Sequence, residues 1–145
     1  MISPTFISFL QQNALLVSIA AISGIGLLWP GLRRTGGGAT ALTPTEATLL
    51  INRENARILD VREGEEFANG HLPDAIHIPL SGLPERVGEI AKLKEKPLIV
   101  CCASGARASR ACGELKKQGF NRLYNLNGGI GAWTQAGLPV RKGDR

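Results

Sequence analysis

The sequence predicts an α/β protein in which a central parallel sheet is flanked by helices and preceded by one transmembrane helix. Short apolar runs rich in β-branched residues alternate with helical patterns, which is typical of a parallel sheet covered on both faces. The clearest run, residues 98–101, leads through a tight turn into an amphipathic helix that ends at Gly119. No charged side chain occurs before Arg33. The first two observations predict the sheet, and the third predicts the transmembrane helix.

The uncharged N-terminal stretch, residues 2–32, is densest in apolar residues from 14 to 29. It predicts a membrane anchor, because a bilayer span needs about 20 predominantly apolar residues. A cleaved signal peptide is the alternative, which the lack of a basic residue ahead of the apolar run disfavours. Arg33 and Arg34 follow the stretch. The positive-inside rule then predicts a single-pass protein of the bacterial inner membrane, with the C-terminal domain in the cytoplasm.

Composition divides the chain into an anchor (residues 1–32), a basic and Gly-rich linker (33–41), an α/β domain (42–140) and a basic tail (141–145). The net charge is +5, but the basic residues are scattered, and one Tyr with four Phe leaves little surface for stacking on bases. Nucleic acid is therefore excluded as a partner. The membrane is the expected partner of the N-terminal helix.

Within the domain, strands and helices are predicted in alternation. The first helix begins at Pro44, with Thr43 as its N-cap and Glu46 in its first turn. The predicted helices are 44–51, 63–68, 83–92, 106–118 and 130–136, and the predicted strands are 57–61, 76–78, 98–101 and 123–126. Ligands of parallel sheets bind at the carboxyl ends of the strands. The turn after strand 98–101 is therefore the predicted site.

That turn, residues 102–107, reads Cys-Ala-Ser-Gly-Ala-Arg and leads into a helix N-terminus. Backbone N–H groups in such a turn point into one hollow, and the helix dipole favours an anion there. Cys102 would lie at the floor of the hollow with Arg107 curling back over it, so the hollow is predicted to stabilise negative charge on its sulfur. Gly105 lets the backbone turn inward. The pattern indicates a nucleophilic cysteine in an anion cradle.

Several motifs resemble, in order and spacing, those of rhodanese-domain sulfurtransferases. They are Asp60-Val61-Arg62-Glu63-x-x-Glu66-Phe67, Gly70-His71-Leu72-Pro73-x-Ala75, Cys102-x-x-Gly105-x-Arg107, Gly119-Phe120 and Leu126-x-Gly128-Gly129-Ile130. The resemblance covers residues 42–140. It implies a single rhodanese-like domain with the fold predicted above.

The resemblance also implies a sulfurtransferase that carries sulfur as a persulfide on Cys102. The donor would be thiosulfate or a persulfide, and the acceptor a thiol or cyanide; a protein could be the donor or the acceptor. Arg107 is expected to orient the loop or to bind the negative charge of the donor. The backbone N–H groups expected to hold the anionic sulfur are those of Ala103, Ser104, Gly105 and Ala106.

Two other functions stay open. One is a membrane-tethered sulfur carrier or docking module without free turnover. The other is a small-oxyanion phosphatase or arsenate reductase, because counting from Cys101 gives the Cys-x5-Arg spacing of tyrosine phosphatases. Glycine lies three residues after Cys102 but four after Cys101, so Cys101 is interpreted as the last strand residue, turned away from the cradle. The six-residue loop resembles that of sulfurtransferases, whereas related phosphatases have seven residues.

The remaining polar candidates support the loop. Asp60 and Arg62 lie at the end of a strand, on the edge of the sheet where the Cys102 turn is predicted. They are expected either to form an ion pair that fixes the loop or to contact the residues that bind the substrate without touching it themselves. Cys112 is interpreted as a small buried hydrophobic residue. No Cys-x2-Cys or His-x3-His spacing occurs, so neither a metal nor an organic cofactor is predicted.

Overall fold

The computed structural model describes residues 8–9, 11–33 and 38–143. The chain divides into two units, Met1–Thr35 and Gly36–Arg145. Parts of the predicted anchor (residues 1–7 and 10), linker (34–37) and tail (144–145) lie outside the described residues. The four-part division of the chain therefore stays a prediction.

In the N-terminal unit, helix α1 spans Ala14–Arg33. Among the described residues, no helix is both long enough and apolar enough to cross a membrane. A span takes about 20 consecutive apolar residues, whereas the densely apolar run ends at Trp29 and is followed by Pro30. The predicted transmembrane anchor is therefore not found. The prediction of a single-pass protein of the inner membrane with a cytoplasmic domain was wrong.

The second unit is built on a five-stranded parallel sheet. Its strands are β1 Thr40–Leu42, β2 Arg57–Asp60, β3 Ile76–His77, β4 Leu98–Cys101 and β5 Leu123–Leu126. Their order is β1-β5-β4-β2-β3, and every neighbouring pair is parallel. All four residues of the central strand, β4, are buried. The predicted central parallel sheet is confirmed.

Helices flank this sheet as predicted. They are α2 Pro44–Glu54, α3 Gly64–Asn69, α4 Leu83–Arg86, α5 Ala106–Lys117 and α6 Gly129–Gln135. The start of α2 is a capping box, in which the Thr43 hydroxyl accepts from the Glu46 N–H and the Glu46 carboxylate accepts from the Thr43 N–H. The predicted helix 83–92 is one short α-helix followed by a 3-10 helix, Val87–Leu93. Gly88, a poor helix former, lies where the geometry changes.

Strand β1 was not predicted. It begins at Thr40, two residues before the predicted start of the domain, and pairs with β5 from Thr40 opposite Tyr124 to Leu42 opposite Leu126. The strand has three residues at the edge of the sheet, and two of them are exposed. Such a short, exposed edge carries almost no hydrophobic pattern, because only one face of it is buried.

The core has two layers, because successive side chains of a strand point to opposite faces of the sheet. Leu98 and Val100 of β4 pack on one face, in a cluster that includes the buried residues of α5. Ile99 and Cys101 pack on the other face, with Trp133 of α6. The central strand is thus held on both sides. This fixes the position at which its carboxyl end delivers residue 102.

Candidate active site

The candidate site lies between two neighbouring parallel strands, β2 and β4, after which the chain continues towards opposite sides of the sheet. From β2 the chain continues to β3 on one side, and from β4 it continues to β5 on the other. In open α/β sheets, the crevice at such a switch point is the usual ligand site. Asp60 ends β2 and lies opposite Cys101, the last residue of β4. The predicted position of the site, at the carboxyl end of β4, is the position of this crevice.

The Cys102 sulfur lies at the N-terminus of α5 and receives two backbone hydrogen bonds. The Gly105 N–H donates to Sγ at 3.0 Å, and the Ala108 N–H donates to it at 3.4 Å. Gly105 has φ +104°, a left-handed conformation that glycine adopts without strain. The first amides of a helix have no partner within the helix, so they are free to bind an anion. This arrangement stabilises negative charge on a sulfur at this point.

The carbonyl groups of the same loop are held by the segment around the start of α6. The Ile130 N–H donates to the Cys102 carbonyl at 2.9 Å, and the Gly131 N–H donates to the Ala103 carbonyl at 3.4 Å. From β5, the Asn125 side-chain amide donates to the Gly105 carbonyl at 3.1 Å. These hydrogen bonds from β5 and from the start of α6 hold the loop carbonyls in place. The loop amides therefore remain available to the sulfur.

Gly129 is the point of closest approach between the two segments. A Cβ atom built on it would lie 2.6 Å from both the carbonyl carbon and the oxygen of Ala103, and closer still to the Cys102 carbonyl oxygen. Its φ is +58°, which a side chain also disfavours. Only glycine therefore lets α6 begin directly against the loop.

Replacing Gly129 with alanine is expected to slow sulfur loading of Cys102 by about 10²-fold, because the loop backbone must move to make room for Cβ. The loading rate is measured by intact-mass spectrometry. Gly113→Ala is the matched control, since a Cβ on this α5 glycine meets no atom within 4 Å. A Gly129→Ala protein that loads at the parent rate would show that the loop does not depend on this approach.

Arg107 is bound by Glu66 of α3. Its two terminal nitrogens donate to the two carboxylate oxygens at 2.6 and 2.7 Å, which is the bidentate geometry typical of strong Arg–carboxylate pairs. The hydrogen bonds from Arg107 lower the pKa of Glu66 to about 2, and the same pair raises the pKa of Arg107. Both groups thus stay charged over the physiological range. The guanidinium therefore joins the loop to α3, 41 residues earlier in the chain.

The lowered pKa of Glu66 predicts how the stability of the protein depends on pH. The carboxylate has an ordinary pKa of 4.5 when unfolded and about 2 when folded, so its contribution is full above pH 4.5 and is lost as the pH falls towards 2. Glu66→Gln is expected to lower the free energy of unfolding by about 1 kcal/mol at pH 7, a value reduced by solvent screening of this half-exposed pair. Urea unfolding of both proteins at pH 7 and pH 3 measures the effect. A difference that is the same at both pH values would contradict it.

Asp60 and Arg62 form a buried ion pair at the end of β2. Asp60 is fully buried, Arg62 is 4% exposed, and the shortest contact, from Arg62 Nη2 to Asp60 Oδ2, is 2.6 Å. Burial lowers the pKa of Arg62, but the hydrogen bonds and charge of Asp60 outweigh this, so the pKa is raised. Arg62 also donates to the carbonyls of Glu66 and Gly70 at 3.1 and 2.7 Å. The pair was predicted to fix the loop; it holds α3 directly and reaches the loop through Glu66.

The three cysteines have different surroundings. Cys101 packs on the opposite face of the sheet from Cys102, and burial together with the charge of Asp60 raises its pKa well above the usual value. Cys112 is buried within α5, and burial raises its pKa to about 12. Both therefore remain neutral thiols, in agreement with their interpretation as packing residues. Within residues 38–143, no group of three or more His, Cys, Asp or Glu side chains could hold a metal ion.

The sequence alone did not identify all the residues that form the site. The Ala108 N–H was not among the expected donors, although its place as the third residue of a helix is a signal that could have indicated it. Glu66 and Gly129 were part of quoted motifs, but no contact with the loop was predicted for either. The hydrogen bond from Asn125 to the Gly105 carbonyl could not be predicted from the sequence, because a single Asn in a strand is compatible with many environments. The expected N–H donors Ala103, Ser104 and Ala106 lie in the loop beside the sulfur, and their role in binding stays a prediction.

Comparison with known proteins relates most of the second unit to one family. The family model of the rhodanese-like domain matches residues 43–136. A sulfurtransferase of Allochromatium vinosum is 41% identical over 91 residues, covering 63% of this chain and 83% of the relative. The thiosulfate sulfurtransferase GlpE of Actinobacillus pleuropneumoniae is 34% identical over 101 residues, covering 70% and 92%. The crystal structure of a rhodanese-related protein from Thermoplasma volcanium superposes with a TM-score of 0.62 and 31% identity, covering 70% and 96%.

Proposed function

The chain belongs to the rhodanese-like domain family, and from this we propose that it is a sulfurtransferase that carries the transferred sulfur as a persulfide on Cys102. Relatives named sulfurtransferase and thiosulfate sulfurtransferase support the general activity. The observation that carries the proposal is the pair of N–H groups, from Gly105 and Ala108, that converge on the Cys102 sulfur.

The proposed reaction has two half-reactions. The Cys102 thiolate attacks the outer sulfur of a donor, thiosulfate or a persulfide, and the bond to the inner sulfur breaks with its electron pair leaving on sulfite or a thiolate. The terminal sulfur of the Cys102 persulfide is then attacked by cyanide or a thiolate, small or protein-bound, and the Cys102 thiolate is released. Charge on sulfur is present throughout, so preorganised N–H donors serve both half-reactions.

Arg107 acts in this proposal as a positioning residue. Its guanidinium is occupied by both oxygens of Glu66, and so it anchors the first turn of α5 to α3. The backbone N–H groups of Ala103, Ser104 and Ala106 complete the space in which the outer sulfur would lie. Arg62, paired with Asp60, holds the end of α3 by donating to the Gly70 carbonyl.

The phosphatase alternative requires Cys101 as the nucleophile, since only from Cys101 is the spacing to Arg107 that of a phosphatase loop. Cys101 lies in the other core layer and has a raised pKa, which makes it a poor nucleophile. The docking module needs no turnover, so a kinetic experiment distinguishes it from an enzyme.

The test is intact-mass spectrometry of the full chain incubated with thiosulfate or with cysteine hydropersulfide, followed by cyanide. We expect the mass to rise by one sulfur atom and to return to its starting value as thiocyanate appears in equal amount. A protein that loads but does not discharge to cyanide or to small thiols is the docking or carrier module. A protein that loads from neither donor is not a sulfurtransferase.

A further inference from the structure

The carboxyl edge of the sheet, where Cys102 lies, contains few cations. The turns after the strands and the first turns of the helices that follow them are residues 43–47, 61–67, 78–82, 102–109 and 127–132. Arg62 and Arg107 are the only Lys or Arg residues in these segments. Both are already paired, Arg62 with buried Asp60 and Arg107 with Glu66. Each guanidinium is therefore already neutralised by a carboxylate, and neither contributes an uncompensated positive charge at this edge.

Acidic side chains outnumber basic ones in these segments. The start of α3 carries Glu63, Glu65 and Glu66, and the charge of Glu63 as well as that of Glu66 acts on Arg107. The loop itself contributes only small neutral side chains between Cys102 and Arg107. At physiological ionic strength charges more than about 8 Å away are largely screened, so this local acidic excess outweighs the net charge of +5 carried by the whole chain.

Donors of sulfur differ in the charge they bring to this edge. Thiosulfate is a dianion whose sulfonate oxygens require cations or free donors outside the sulfur pocket, whereas an alkyl hydropersulfide carries its charge on the sulfur that the loop amides receive. Resting on the proposed function, we propose that Cys102 is loaded by a low-molecular-weight alkyl hydropersulfide in preference to thiosulfate. Glu66 sets this preference by occupying Arg107.

The loading step balances without a further reactant. The Cys102 thiolate attacks the outer sulfur of R–S–S⁻, a new sulfur–sulfur bond forms, and the electron pair of the old bond leaves on R–S⁻, which takes a proton from water. The outer sulfur keeps its oxidation state as it passes to Cys102. The product thiolate leaves into solvent past a neutral and acidic rim, which does not retain it.

The experiment compares second-order loading rates of the full chain with freshly generated cysteine hydropersulfide and with thiosulfate, at low and at physiological ionic strength. We expect the hydropersulfide to load Cys102 at least about tenfold faster at physiological ionic strength. We also expect thiosulfate loading to accelerate as salt is added, because salt screens repulsion between the dianion and the acidic edge. Thiosulfate loading that is equally fast, or that slows as salt is added, would overturn the preference.

Two variants test the assignment to Glu66. Glu66→Gln releases Arg107, and Ala103→Arg adds an unpaired guanidinium to the loop, so each is expected to raise the thiosulfate-to-hydropersulfide ratio of loading rates about tenfold. Ala103→Gln, similar in length but neutral, is the matched control and should leave the ratio unchanged. If Ala103→Arg raises the ratio and Glu66→Gln does not, Glu66 does not set the preference. Loading from neither donor would overturn the proposed function itself, whereas a preference for thiosulfate overturns only this inference.

Discussion

Replacing Cys102 with serine is expected to abolish sulfur loading and to lower sulfurtransferase turnover by at least about 10³-fold. The serine hydroxyl has nearly the same shape, and it can still accept from the Gly105 and Ala108 N–H groups, so the loop is retained. What is lost is the thiolate, because a hydroxyl does not ionise near neutral pH and cannot carry a sulfane sulfur. Intact-mass spectrometry and thiocyanate formation measure the two losses.

Cys101→Ser is the matched control, because Cys101 is the adjacent residue and its side chain lies in the other core layer. It is expected to keep sulfur loading, with some loss of stability from placing a hydroxyl in an apolar cluster. If the Cys102→Ser protein still gains a sulfur atom and the Cys101→Ser protein does not, the assignment of the nucleophile is wrong. Cys101, with its phosphatase-like spacing to Arg107, would then be the nucleophile.

The central strands and the cysteine loop could be predicted from the sequence because their signals are local. Strands 98–101 and 123–126 were predicted to the residue. The first is an apolar run, and the second, Leu-Tyr-Asn-Leu, lies between Arg122 and the turn that begins at Asn127. Cys102 and Gly105 follow from the strand–turn–helix order alone. The sequence therefore placed the sulfur and its helix N-terminus correctly.

What could not be predicted depends on contacts between distant segments. The pairing of Arg107 with Glu66 joins residues 41 apart, and only the fold brings α3 beside α5. Of the two roles expected for Arg107, orienting the loop or binding the charge of the donor, the second took only the loop itself into account. The requirement for glycine at 129 likewise arises from the approach of α6 to Ala103. The transmembrane prediction came from composition and the lack of charge, and among the described residues the structure has no helix that is both long enough and apolar enough to cross a membrane.

Removing the charge of Arg62 is expected to have the largest effect on stability. Arg62→Met leaves the Asp60 carboxylate fully buried without its partner and also removes donors to the Glu66 and Gly70 carbonyls. Breaking a buried pair from one side costs about 3–5 kcal/mol, a large part of the roughly 5–15 kcal/mol of a typical domain. Urea unfolding of the full chain at pH 7, followed by circular dichroism, measures the loss.

Two further variants separate the buried charge from the geometry. Arg62→Lys keeps the charge but not the planar fork, and is expected to lose less than Arg62→Met. In the double variant Asp60→Asn with Arg62→Met no buried charge remains, so it should be less destabilised than the sum of the two single changes. The double variant still lacks the bonds from Arg62 to α3, so we expect it to load sulfur more slowly than the parent, because Glu66 is less firmly placed. The outcome that would contradict this is an Arg62→Met protein whose free energy of unfolding is within about 1 kcal/mol of that of the parent and which loads sulfur at the parent rate. In that case α3 and the loop are held by packing alone, and the ion pair has no part in positioning Cys102.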